Sequence, residues 1–182
     1  PNLQDQLNYK EKNFDKIKIY NFLNKKPRVH RAWFYHNLRV WDLLKHGLVS
    51  MNKFNDNEDL IIDDGNIEKN WLPETNETLP TYAYGVSNEI KKFKFYMDNL
   101  NEQATLDSWF TIVSEAQYED KQGTIFLSEK VFKPIACHHP FVILGNKNSL
   151  KELHKLGYKT FNDLIDEKYD SESSFHRFNY IA

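Results

Sequence analysis

Ser128, Glu129, Lys130 and Lys133 stand in the stretch Phe126-Leu127-Ser128-Glu129-Lys130-Val131-Phe132-Lys133-Pro134-Ile135, and their types and spacing fit the binding of an anion. A short apolar run ends in a hydroxyl residue, an acid and a base follow side by side, and an amphipathic turn or two leads to a second apolar run, Phe141-Val142-Ile143-Leu144, closed by Gly145. That order predicts a loop, a helix start, a helix, a strand and a loop. A helix start presents unpaired N–H groups and the positive end of the dipole, so a phosphate-bearing small molecule is the natural ligand class. Two readings of Glu129 and Lys130 stand: charges lining a cleft, or a solvated pair opening a helix, where Glu is favoured in any case. Lys133 follows one turn after Lys130 and is either a second phosphate contact or a surface lysine.

A second cationic group lies in Asn24-Lys25-Lys26-Pro27-Arg28-Val29-His30-Arg31. The guanidinium fork of Arg28 or Arg31 grips phosphate with two parallel bonds; the plain alternative is a basic loop paired with nearby acids. His30 is a candidate general base because its unperturbed pKa is near neutrality, or it caps and packs. Glu115 is the other local candidate for that role. His138-His139 reads as a turn before a strand, since neighbouring histidines rarely share an ion and no third ligand stands at a useful spacing. Cys137 reads as a small buried residue. Trp33, Phe34, Trp41 and Trp109 read as core. Asp166, Glu167 and Asp170 read as a polar turn before the last helix.

These side chains must be positioned by regular elements. Lys16 to Leu23 alternates like a strand, and His30 to His46 has apolar residues at helical spacing with Gly47 as its terminator. Leu48 to Met51, Trp109 to Val113, Thr124 to Leu127, Phe141 to Leu144 and Tyr158 to Phe161 read as strands. Helices are predicted from Val86 to Leu100, Glu129 to Cys137 and Ser149 to Leu156 (stopped by Gly157), and from Ser173 or Ser174 onward. Residues 1–15 form a polar arm, residues 16–182 one domain, and residues 52–105 a loop-rich insertion within it. Strands alternating with helices imply an α/β domain with a largely parallel sheet. Ligands bind such sheets at the carboxyl ends of the strands, so the loops after Leu23, Val113 and Leu127 are expected to share one rim.

Composition narrows the function. The 182 residues are 40% hydrophobic and 27% charged with a net charge of −2, which does not fit nucleic-acid binding. One cysteine excludes an internal disulfide and a cysteine-rich zinc site. No apolar run approaches the roughly 20 residues that cross a bilayer. A cytoplasmic location, in a microbe or a virus-infected host cell, is the expectation. Pro1 at the start and the apolar Phe178-Asn179-Tyr180-Ile181-Ala182 at the end lead to the expectation of a fragment.

Two stretches resemble a group of glycosyltransferase-like proteins common in viruses and marine bacteria. One is Asn24 to Arg31 with Gly47-Leu48-Val49-Ser50. The other is Ile112-Val113-Ser114-Glu115, Phe126 to Pro134, Pro140-Phe141 with Gly145, Leu150 with Leu153, Gly157 to Phe161, and Ile165 to Asp170. The Ser128-Glu129-Lys130 element is also similar to the donor-binding motif of α1,3-fucosyltransferases. The chain departs at three places: Ser128 stands where Thr is usual, Asn148 where glycine is frequent, and Ala116 where a second hydroxyl is found.

The resemblance implies a Rossmann-like domain, the donor-binding half of a GT-B enzyme. It implies Glu129 on a ribose, Lys130 on phosphate, and Arg28 or Arg31 on the diphosphate. The implied reaction moves a sugar from a nucleotide-diphosphate donor to an acceptor hydroxyl, with no metal or cofactor. Cations and helix N-terminal amides would stabilise the leaving group. The alternatives are a non-catalytic nucleotide- or glycan-binding module and a virion-associated structural protein.

Overall fold

The computed structural model describes residues 17–24, 28–50, 104–105, 107–119 and 123–181. The polar arm, the helix expected from Val86 to Leu100, and Lys25, Lys26 and Pro27 lie outside the described residues. The ordered elements are β1 (Lys18–Leu23), α1 (Val29–Val40), β2 (Gly47–Ser50), β3 (Ser108–Ser114), α2 (Glu129–Ala136), β4 (Phe141–Leu144), α3 (Ser149–Lys155) and α4 (Ser174–Ile181). Short 3-10 turns cover Leu44–His46 and Glu167–Ser171.

The four strands form one sheet in the order β2-β1-β3-β4, and every pairing is parallel. With its flanking helices this is the expected Rossmann-like α/β arrangement. β1 connects through α1 to β2 on one side of it, while β3 pairs on its other side and connects through α2 to β4. The crevice between β1 and β3 is therefore the point where strand order reverses, the ligand-binding position of open parallel sheets.

Local chemistry explains most boundaries. β4 is a continuous apolar run with all four residues buried, as a strand covered on both faces must be. Phe22 of β1 packs on Phe34 of α1 with tilted rings, and Phe34 meets Phe178 of α4 edge-on, which builds the core on one face. By strand alternation Asn21 and Leu23 face the other side, where they line a cavity together with residues of α2. α2 ends where His138 adopts a left-handed conformation, φ 50°, so the His138-His139 pair is the turn expected before β4. Gly157, φ 85°, closes α3 with a Schellman pair: Tyr158 N–H donates to the Leu153 carbonyl and Gly157 N–H to that of His154.

Several expectations are corrected. The helix from His30 stops at Val40, and Asp42 turns left-handed at φ 56°. Gly47 caps the 3-10 turn Leu44–His46, not the α-helix, and it opens β2, where any side chain would run into the Tyr20 ring. Thr124 to Leu127 is not a strand, because Phe126 N–H donates to the Asn146 side chain instead of a ladder carbonyl. Tyr158 to Phe161 is not one either: its N–H groups go to the end of α3 and to Glu167. Trp41 and Trp109 are surface residues, 45% and 63% exposed, and not core.

Candidate functional site

β3 ends in Ser114 and the chain turns outward at Glu115, whose side chain is fully buried. A buried carboxylate is costly unless it is paired and hydrogen-bonded, and the first turn of α2 supplies its partners. Ser128 N–H donates to one carboxylate oxygen at 2.8 Å, and the Ser128 hydroxyl donates to the other at 2.6 Å. The Lys130 ammonium lies 3.7 Å from that second oxygen. Ser128 is also the N-cap of α2, its oxygen accepting from Lys130 N–H at 3.3 Å. The protein's own carboxylate thus occupies the helix start, so the amide of Ser128 is not open to a phosphate.

The start of α1 packs against the same turn. Arg31 is buried; its Nε donates to Ser114 Oγ at 3.0 Å, and one terminal nitrogen donates to the carbonyls of Ser114 and Glu115 at 2.9 and 3.0 Å. Burial, then the nearby charge of Arg28, lowers its pKa to about 10, so it stays protonated at neutral pH. Arg28 itself is half-buried and opens α1 in an extended conformation.

His30 Nε2 lies 3.0 Å from the Glu115 carbonyl; a carbonyl only accepts, which puts the proton on Nε2. Its ring stacks on Tyr118 at 5.4 Å. Burial, then the charge of Arg31, pulls its pKa down to about 3, so the ring is neutral at physiological pH.

The structure therefore brings Arg28, Arg31, Glu115, Ser128 and Lys130 to one rim, as the loop placement predicts. A cavity of about 150 Å³ opens there, lined by Asn21 and Leu23 of β1, Thr111 to Ser114 of β3, and Lys130, Lys133 and Pro134 of α2, with Ala104 and Thr105. It occupies the reversal point between β1 and β3. Burial lowers the pKa of Lys130, while Glu115 opposes the shift. Glu129, half-buried, is not among the described residues lining the cavity.

Asn21 and Thr111 were not singled out from the sequence. Asn21 is buried in mid-strand and donates to Ser108 Oγ and Thr111 Oγ1, both at 2.8 Å. A polar residue inside an otherwise apolar strand, Tyr20-Asn21-Phe22-Leu23, was the signal available. A wider depression of about 460 Å³ lies at the amino ends of β3 and β4, lined largely by apolar residues such as Trp109, Pro140, Val142 and Leu164. It lacks cations among the described residues, so the reversal-point cavity is the better candidate.

Of the acids in the Asp166–Asp170 turn, Asp166 and Asp170 are capping groups, while Glu167 accepts from Phe161 N–H and the Thr160 hydroxyl. Asp166 accepts from Lys168 N–H, and Asp170 accepts from the N–H groups of Leu150 and Lys151 at the start of α3. Asn148, φ 65°, takes the left-handed position that asparagine tolerates and glycine favours. Among the described residues, no group of three or more His, Cys, Asp or Glu could hold a metal ion, and no helix is long and apolar enough to cross a membrane.

Comparison with protein-family models, curated proteins and solved structures finds no match for this chain.

Proposed function

We propose that the chain is the donor-binding domain of a nucleotide-sugar glycosyltransferase, which moves a sugar from a nucleotide-diphosphate donor to an acceptor hydroxyl. The observation that carries this reading is the cavity between β1 and β3 with Lys130 and Lys133 on its wall. A diphosphate there meets two ammonium groups at the position where parallel sheets bind nucleotides. The resemblance of Ser128-Glu129-Lys130 to a donor-binding motif supports the same assignment.

Bond breaking leaves negative charge on the departing nucleoside diphosphate, and fixed cations stabilise it without reorganising. Lys130 and Lys133 are the direct contacts in this reading, with Arg28 at the rim and Glu129 on the ribose. Arg31, tied to Ser114 and Glu115, contributes a fixed positive charge behind the site. No metal or cofactor enters the scheme; the nucleotide sugar is the substrate.

A second reading is a nucleotide-binding module without catalysis. It is favoured by the cavity wall, which holds no acid and no imidazole among the described residues, while His30 and Glu115 are buried in other bonds. Thermal shift with UDP, GDP and their sugars tests both, because a ligand of the folded state raises the melting point by mass action. A shift with nucleoside diphosphates supports both readings, and release of free sugar or its transfer selects the enzyme. No shift with any of them removes both.

A further inference from the structure

We propose that Glu115 is the positioning residue of the anion site: it holds Ser128 and Lys130 in place and does not act as the general base. The inference rests on the reading above that the reversal-point cavity takes a diphosphate. Its three partners, Ser128 N–H, Ser128 Oγ–H and the Lys130 ammonium, all come from the first turn of α2. Both oxygens are thereby engaged in a side chain with no exposure, so no lone pair is directed at an acceptor hydroxyl. Lys130 is the only one of the three that also reaches the cavity wall, and its side chain is 34% exposed. Glu115 thus holds the ammonium end of this side chain beside the cavity, where it stays within reach of a ligand.

The surroundings of Glu115 are shaped for it. Its backbone N–H donates to the Leu144 carbonyl at 3.0 Å, and its own carbonyl is held by Arg31 and His30. Next to it stands Gly145, where a Cβ would lie 3.3 Å from Glu115 Cβ and 3.4 Å from Cγ. The last residues of β3 and β4, the start of α1 and the start of α2 therefore meet at this one residue, the first three through its backbone and α2 through its carboxylate. A base would need an open face, whereas a positioning group needs what is seen here, rigid partners on every side.

Glu115→Gln and Glu115→Ala separate the roles. Glutamine keeps an oxygen for Ser128 N–H and an amide for its hydroxyl oxygen, while alanine removes the acceptor of both Ser128 donors. Isothermal titration with GDP and UDP is expected to give the glutamine variant an affinity within about threefold of the unsubstituted chain, and alanine a loss of about tenfold or more. Transfer or hydrolysis by the glutamine variant should follow its binding. Abolished turnover at unchanged affinity would overturn the proposal in favour of a base.

Hydrogen exchange at the Ser128 and Lys130 amides is the readout that needs no ligand: protection should survive in Glu115→Gln and fall in Glu115→Ala. Equal protection in all three chains overturns the positioning role. Absence of GDP and UDP binding by the unsubstituted chain instead overturns the donor reading, and the exchange result then judges Glu115 as the anchor of α2.

Discussion

The Glu115 carboxylate accepts a 2.6 Å hydrogen bond from the Ser128 hydroxyl across thirteen positions of sequence, joining the end of β3 to the cap of α2. The start of α2 is thereby filled from within. Asp170 does the same at the start of α3, accepting from Leu150 and Lys151 N–H at 3.0 and 3.1 Å. Under the proposed donor reading, side-chain cations, chiefly Lys130 and Lys133, are what the rim would offer a phosphate.

Replacing Lys130 with alanine should weaken GDP or UDP binding about tenfold, since a charge-assisted bond to phosphate is lost. Lys133→Ala should cost less, as Lys130 stands at the helix start and feels the charges of Arg28 and Arg31, while Lys133 lies a turn further along α2. Titration calorimetry at two salt concentrations checks this, because screening should lower the wild-type affinity more than that of Lys130→Ala.

Gly145→Ala should destabilise the fold by about 1–3 kcal/mol, the range for overpacking a dense core. The added Cβ would stand 3.0 Å from Ile143 Cγ2 and 3.3 Å from Glu115 Cβ. A urea unfolding midpoint equal to that of the parent chain would show that the neighbours give way freely.

His30 should make the protein sensitive to mild acid. Its folded pKa, about 3, lies below its ordinary value of 6.5, so between those pH values the unfolded chain binds a proton that the folded chain does not. Stability therefore falls as pH drops through this window, by an amount on the order of a few kcal/mol. His30→Gln, which keeps a donor for the Glu115 carbonyl, should show a shallower loss between pH 7 and 4 in urea titrations. Parallel curves for the two proteins would refute the assignment.

Asp170→Ala should cost about 1–2 kcal/mol through loss of the α3 cap. Asp170→Asn should recover part of this, since one oxygen remains to accept. Chemical denaturation of both variants measures the difference, and equal stability of all three chains would count against capping.

What could be read in advance was what depends on neighbours along the chain. Ser128 as a cap, Gly157 as a stop and the apolar run of β4 all follow from steric and hydrogen-bonding rules that act within a few residues. The parallel α/β class followed from the alternation of such pieces, and so did the shared rim of the loops after β1 and β3. Thr124 to Leu127 has the composition of a strand, yet a strand exists only with a ladder partner, and Asn146 took its N–H instead. Trp109 has the composition of core, but which face of β3 is covered depends on packing far away in sequence.

The residue types at the rim, cations and one acid, were likewise legible, but their assignments were not. Arg31 closes on the carbonyls of Ser114 and Glu115, and Glu115 closes on Ser128, because burial forces every charge to find a partner and only the folded chain decides which one is in reach. The sequence determined which groups would be charged, capped or apolar, since those are properties of single residues and short spans. The tertiary structure alone decided which charges spend themselves on each other and which two lysines line a cavity, since that depends on distances set by the whole sheet.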